Sequence, residues 1–254
     1  MKDLFSLDGK VAIVTGSTKG IGKAIAEAFA AFGARVVISS RKEEACSRVC
    51  EEIVAAGGEA IAVPCNIGHR DQLENLVAAT REKWGQIDIL VCNAAVNPFY
   101  GSSLEIPDSA FQKVMDVNIG SVMGLSRMVI PEMQGRKDGA IIIVSSVGGR
   151  HGNAVLGAYA ISKAADMQIA RNLAVEFGPD NIRVNCIAPG LVKTDFARAL
   201  WENPEASAAR EEATPLRRLG EGRDIAGIAL YLASQAGSWT TGQTFVIDGG
   251  VDAL

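Results

Sequence analysis

Residues 10–22 read "KVAIVTGSTKGIG", two patterns in direct succession. The first half, 11–15, is an unbroken apolar and β-branched run, the pattern of a strand covered on both faces in a parallel sheet. The second half sets glycines at 16, 20 and 22. Glycine reaches positive φ and lets another backbone or a ligand come close, so the run predicts a tight turn from strand into helix. A helix N-terminus opening from such a turn offers oriented N–H groups and partial positive charge, the usual seat of a pyrophosphate. The G-x-x-x-G-x-G spacing is looser than the common dinucleotide fingerprint, and a glycine turn alone serves equally as a plain connection. Its place straight after the first strand favours dinucleotide binding, with Gly16, Ser17, Thr18, Lys19, Gly20, Ile21 and Gly22 as the cradle.

The same alternation runs outward from this stretch. Further strand candidates lie at 34–40, 59–65, 87–93, 140–146, 182–188 and 243–249, most of them nearly continuous apolar runs. Helical patterns lie between them at about 20–32, 42–56, 69–84, 108–134 (broken), 157–178 and 223–234. The order predicts an α/β protein: a three-layer, doubly wound Rossmann fold with a mainly parallel seven-stranded sheet. No repeat or linker divides it, so 1–254 is expected to be a single domain. The longest irregular stretch carries Phe196, Leu200, Trp201 and Leu216 and is expected to be a substrate lid at about 190–220.

Composition excludes several classes. A net charge of −4 leaves no basic field for nucleic acid or an anionic membrane. The five cysteines are odd in number and follow no metal-ligand pattern, which suits reduced thiols packed as small hydrophobes. Residues 1–10 lack the apolar core of a signal peptide, and the final "VDAL" is not a peroxisomal address. A soluble cytoplasmic protein without a metal is expected, and His69, at a helix start, is assigned no role.

The end of the second strand bears on the cofactor. An acid there commonly holds the ribose hydroxyls of NAD, but residues 36–44 read "VVISSRKEE". Ser40, Arg41 and Lys42 suit a 2′-phosphate through charge-assisted hydrogen bonds, and Lys19 adds a second cation. NADP(H) is therefore expected over NAD(H).

"GAYAISKAA" (157–165) places Tyr159 and Lys163 at i and i+4 of one helix face. A nearby ammonium favours a phenolate and draws its pKa from about 10 towards the working range. Such a pair alone is more often an exposed helix pair. Ser146 strengthens the functional meaning, because it ends the fifth strand at the sheet edge where open α/β folds build their sites.

Together "TGSTKGIG", "NAA" (93–95), "VN" (117–118), Ser146, "YAISK" (159–163), "PG" (189–190) with Thr194, and "TGQTFVIDGG" (241–250) resemble the short-chain dehydrogenase/reductase family over essentially the whole chain. The nearest likeness within it is to NADPH-dependent carbonyl reductases of the dehydrogenase/reductase member 4 type, carried by "VVISSRK", "NAAVNPFYG", "NIRVNCIAPGLVKT" and "RRLGE". The resemblance implies that Tyr159 is the general acid/base, that Lys163 lowers its pKa and holds the nicotinamide ribose, and that Ser146, rather than Ser145, binds the reacting oxygen. It implies that Asn118 holds a water for proton exchange. Pro189, Gly190, Val192 and Thr194 match positions that seat the nicotinamide, and Asn93 and Ala94 match the segment near the adenosine ribose. Asn66-Ile67 stands where the family often has Asp-Val against the adenine, and Ala95 replaces a usual glycine.

A mainly apolar pocket for a hydrophobic ketone is expected from Phe99, Tyr100, Val155, Leu156, Phe196, Leu200 and Trp201. Arg150 and His151 either touch a polar substituent or form a solvent-facing loop. Small residues in 108–134 and 157–178 permit close helix packing, and the resemblance implies that these helices pair subunits in a homotetramer. The implied activity is reversible NADPH-dependent reduction of a ketone or aldehyde. A 3-oxoacyl-carrier-protein reductase shares every motif, and a non-catalytic NADP(H)-binding sensor is the alternative of another class.

Overall fold

The seven apolar runs lie side by side as one sheet in the computed structural model, which describes residues 2–253; residues 1 and 254 of the expected domain fall outside them. The strands are β1 (Val11–Thr15), β2 (Arg35–Ser39), β3 (Glu59–Ala62), β4 (Ile89–Cys92), β5 (Gly139–Val144), β6 (Ile182–Pro189) and β7 (Thr244–Ile247). Their order is β3-β2-β1-β4-β5-β6-β7, and every pairing is parallel. The chain builds outward from β1 to β3, then returns to lay β4 on the other side of β1. That reversal opens a crevice above the C-terminal ends of β1 and β4, where such folds bind ligands.

Alternate strand residues feed two cores, which is why the runs are unbroken. Ala12 and Val14 pack with α1 (Gly20–Ala31), α2 (Glu43–Ala55) and α9 (Gly222–Ala233) on one face. Ile13 packs with α3 (Arg70–Trp84), α5 (Ser121–Arg136) and α6 (Gly157–Phe177) on the other. The two edge strands are the exceptions, both only partly buried: β3 is Glu59–Ala62 of the expected 59–65, and β7 is Thr244–Ile247 of the expected 243–249.

Two segments depart from expectation. The stretch from 108 is α4 (Asp108–Val114), then a wide π-helical turn, Met115–Gly120, then α5. The stretch expected to be irregular holds α7 (Arg198–Trp201) and α8 (Pro204–Ala213). The local chemistry accounts for α8. Asn203 Oδ1 accepts from the Ala206 N–H at 3.0 Å, Pro204 sits at the first helical position, and Ala and Glu are strong helix formers.

Candidate active site

The glycine turn is laced to its neighbours. Gly16 and Gly20 adopt φ of +68° and +57°, in the left-handed region. A Cβ on Gly22 would lie 2.4 Å from the Gly16 carbonyl oxygen, so no side chain fits there. The Ser39 N–H donates to Ser17 Oγ at 2.8 Å and Thr18 Oγ1 donates to Ser40 Oγ at 3.1 Å, joining the turn to the end of β2. Asn93 Nδ2 donates to the Thr15 carbonyl at 2.8 Å, and the Asn93 and Ala94 N–H groups donate to Thr15 Oγ1 at 3.0 and 3.1 Å. Among the described residues no side chain caps the start of α1, which leaves its first N–H groups at the crevice unclaimed by side chains. This cradle fits the pyrophosphate of a dinucleotide.

Arg41 and Lys42 stand exposed at the end of β2 and make no salt bridge among the described residues. Lys19 is placed differently from expectation. Its Nζ lies 2.8 Å from Asp195 Oδ2, and Arg198 holds the other oxygen of that carboxylate at 2.9 Å. Its charge is thus already answered by the segment above the cleft. Asn66 is half buried, its Oδ1 accepting from the Gly68 N–H at 3.2 Å.

Ser146, Tyr159 and Lys163 meet where β5 ends and α6 begins. Ser145 is buried, and its Oγ donates to the Lys163 carbonyl at 2.6 Å. Ser146 is only half buried, and its Oγ accepts from the Gly148 N–H at 3.1 Å. Of the two serines, it is Ser146 whose hydroxyl acts on the Tyr159 phenol. Gly149 lets its loop lie against α6, since a Cβ there would meet the Lys163 backbone at 2.6 Å. Lys163 is almost wholly buried; its Nζ donates to the Val144 carbonyl and to Asp166 Oδ2, both at 2.9 Å. Nζ lies 5.8 Å from the Tyr159 ring centre.

Electrostatics here are a contest. Burial pushes the Tyr159 phenol up, the Lys163 ammonium and the Ser146 hydroxyl pull it back, and Asp166 opposes them; the balance lies above the ordinary value. In the protein alone the lysine does not bring the phenol down as expected, because burial and Asp166 outweigh it. Burial works most strongly against the Lys163 charge, but Asp166 and Tyr159 together reverse that and hold its pKa above the ordinary lysine value.

Asp166 was not foreseen. The signal was an acid three residues after the lysine in "KAAD", which shares its helix face. Asn118 is also differently employed. Carried on the π-helical turn and buried, it accepts from the Val96 N–H at 2.8 Å and donates to the Val96 carbonyl and Ser162 Oγ, both at 3.0 Å. Both amide hydrogens are thereby engaged, tying the 96–101 loop to α6.

Phe196 lies over Tyr159 with ring centres 5.9 Å apart. Tyr100, Val155 and Phe196 are exposed, while Phe99, Leu156 and Leu200 are half buried. The 96–101 and 147–157 loops are joined where the Gly101 N–H donates to the Val155 carbonyl at 3.0 Å. Trp201 Nε1 donates to the Thr194 carbonyl at 2.9 Å, so its polar edge braces the segment. Buried Val192 bridges to Gly220, and a Cβ on Gly190 would lie 2.7 Å from Asp248, so the chain leaving Pro189 is closely seated. Arg150 Nε donates to Asp252 at 2.9 and 3.1 Å and His151 Nε2 contacts the same carboxylate, committing both to the C-terminal turn.

Known proteins resemble this chain over nearly its whole length. A family model described as enoyl-(acyl carrier protein) reductase matches residues 16–252. Dehydrogenase/reductase SDR family member 4 of Sus scrofa is 43% identical over 244 residues, 96% of this chain and 88% of that protein. Its Homo sapiens counterpart is 42% identical with the same coverage. A solved 7α-hydroxysteroid dehydrogenase, complexed with NADH and 7-oxo glycochenodeoxycholic acid, superposes with a TM-score of 0.94 at 40% identity, covering 98% of this chain and 97% of that one. A gluconate 5-dehydrogenase from Burkholderia cenocepacia in complex with NADP and tartrate superposes with a TM-score of 0.94 at 29% identity, covering 100% and 99%.

Proposed function

The chain belongs to the short-chain dehydrogenase/reductase family of oxidoreductases, and from that premise we propose that it reduces a hydrophobic ketone or aldehyde to an alcohol, reversibly, with NADP(H). The observation that carries this is the meeting of Ser146, Tyr159 and a buried Lys163 paired with Asp166 at the C-terminal end of β5, the same sheet edge that carries the glycine turn, with an apolar ring over the phenol. When bound, the dinucleotide supplies a hydride to the carbonyl carbon or takes one up. In reduction the Tyr159 phenol gives its proton to the carbonyl oxygen, and the Ser146 hydroxyl donates to that oxygen as negative charge grows. Lys163 keeps a positive charge beneath the phenol and offers an N–H to the ribose. A proton-exchange water at Asn118 needs an acceptor there, because both amide hydrogens are engaged.

Gly16–Gly22 would hold the pyrophosphate, Asn66, Ile67, Asn93 and Ala94 the adenosine half, and Pro189, Gly190, Val192 and Thr194 the nicotinamide half. Arg41, exposed and without an ion partner among the described residues, supports NADP(H). Lys19 joins it only by leaving Asp195. The apolar rim of Tyr100, Val155 and Phe196 favours a hydrophobic ketone over a sugar acid. A 3-oxoacyl-carrier-protein reductase would want free cations at the entrance, whereas Arg150 is tied to Asp252 and Arg218 to Asp224.

Exposed Ile161 and Val175 on α6 support a homotetramer built through the long helices. The five free cysteines suit the cytoplasm. No helix among the described residues is long and apolar enough to cross a membrane. The test is an NADPH-depletion screen across aryl, cyclic and steroid ketones, α-dicarbonyls, quinones, retinal and acetoacetyl thioesters. Turnover of hydrophobic ketones is expected; cofactor binding with no turnover on any of them would favour the sensor.

A further inference from the structure

The pair formed by Lys163 and Asp166 is sealed from water. Nζ and Oδ2 are 2.9 Å apart, and the two side chains are 4% and 1% exposed. Asp166 Oδ1 is buried with no hydrogen-bond partner among the described residues. Such a pair is a poor device for stability: desolvating two charges offsets most of their attraction, and apolar residues of similar volume often serve as well or better. An orphaned carboxylate oxygen makes the balance worse. Along α6 the carboxylate comes three residues after the lysine, while Tyr159 comes four residues before it.

We propose that Asp166 is a positioning residue: it anchors the Lys163 ammonium and answers part of its charge, so that Tyr159 keeps its proton and the site is set to deliver a proton to a carbonyl oxygen rather than to remove one from an alcohol. The inference rests on the carbonyl-reduction reading above. Burial is the largest influence on Tyr159, Lys163 and Asp166 alike and pushes the Asp166 carboxyl up, and the neighbouring groups add little charge of their own. Cys92 on β4 and Cys186 on β6 face the pair; burial pushes both thiols up, Cys186 to about 12, so both are neutral near pH 7. The end of β5 supplies the Val144 carbonyl, the residue after it the Ser145 hydroxyl, and beside the phenol stand Ser146 and Tyr100. Removing the charge of Asp166 takes away one of the two influences that raise the phenol, burial being the other.

The test is ultraviolet difference titration of the Tyr159 phenol in the cofactor-free protein, with the spectrum of Tyr159→Phe subtracted to remove Tyr100 and Tyr231. In Asp166→Asn the phenolate should form about one pH unit or more below its wild-type midpoint, the scale of a neighbouring full charge. With NADP(H) and an alcohol, the acid limb of kcat/KM for oxidation should move down by the same interval, and Asp166→Glu should restore the wild-type profile. Equal midpoints for wild type and Asp166→Asn would overturn the proposal, as would a fall in kcat with no movement along the pH axis, the signature of a purely structural role. Should Asp166→Asn fail to fold, Asp166→Ser takes its place in the same titration. A wild type inert toward every carbonyl would sink the carbonyl-reduction reading, while the titration would still decide whether Asp166 governs the phenol.

Discussion

Lys19 Nζ and Asp195 Oδ2, 176 positions apart in the chain, lie 2.8 Å apart above the crevice. The glycine turn and the segment over the cleft are thus joined by an exposed ion pair, a kind of contact that is weak and screened by salt. A phosphate arriving near Lys19 would compete with Asp195 for the same ammonium. Arg41→Asp combined with Lys19→Ala should raise KM for NADPH by about tenfold or more, one charge-assisted contact's worth. KM for NADH should change far less. Steady-state kinetics with both cofactors decide the matter, and an unchanged ratio would remove the basis for NADP(H).

Tyr159→Phe deletes one oxygen from the ring that Phe196 covers. Turnover should fall by about 10²–10⁴-fold, the usual contribution of a positioned acid/base. Cofactor affinity, read by fluorescence titration, should stay within about threefold, because the glycine cradle and β2 are untouched.

Phe196→Ala removes an apolar ring that stands 5.9 Å from the Tyr159 ring. KM for bulky aryl or steroid ketones should rise by roughly ten- to a hundredfold, in keeping with one aromatic packing contact. KM for small ketones should move much less. Parallel KM increases for all ketones would mean that the ring orders the segment rather than touches substrate.

Asp224 is held by the Arg218 fork at 2.6 and 2.8 Å and by the Glu221 N–H at 2.7 Å, closing the first turn of α9. These contacts hold its carboxyl down at about 2, against an ordinary value of 3.8. A depressed pKa contributes stability that is present above the ordinary value and is lost as pH falls through about 2. Asp224→Asn should cost about 1 kcal/mol near pH 7 as a lost cap, a fall of roughly 2–4 °C in Tm. Wild type and variant should converge as the pH is lowered toward 2, which thermal melts across pH would show. The loosening should reach the cofactor as well, because a Cβ on Gly222 would lie 2.8 Å from the Gly20 carbonyl.

The sheet was legible because a strand covered on both faces is apolar almost throughout: β1, β4 and β5 follow that rule closely, and β6 breaks it only at Arg183 and Asn185. The glycine turn was legible because positive φ and close approach leave few substitutes at Gly16 and Gly22. Tyr159 and Ser146 followed from spacing and from the strand end. What escaped depends on partners distant in the chain or on unusual burial. Lys19 looked like a free cation until Asp195 stood beside it. Asp166 looked like a solvated helix residue, since nothing in "KAAD" announces that the face is sealed. The short α7 and α8 lay in a stretch whose apolar residues follow no helical period, so only the Asn-Pro start of α8 marked them.

The π-helical turn from Met115 to Gly120 sets the phase of the whole rod between Asp108 and Arg136. An ordinary helix advances about 100° per residue, so one residue fewer in that turn would swing everything before it by that angle relative to α5. Val122, Leu125 and Val129 would keep their seats against the sheet, and Asn118 would be carried away from Val96 and Ser162. The wide turn thus acts as a rotational offset between a helix that must bury one stripe and an amide that must face another way. A single-residue deletion there would leave a folded protein whose floor and catalytic helix no longer meet.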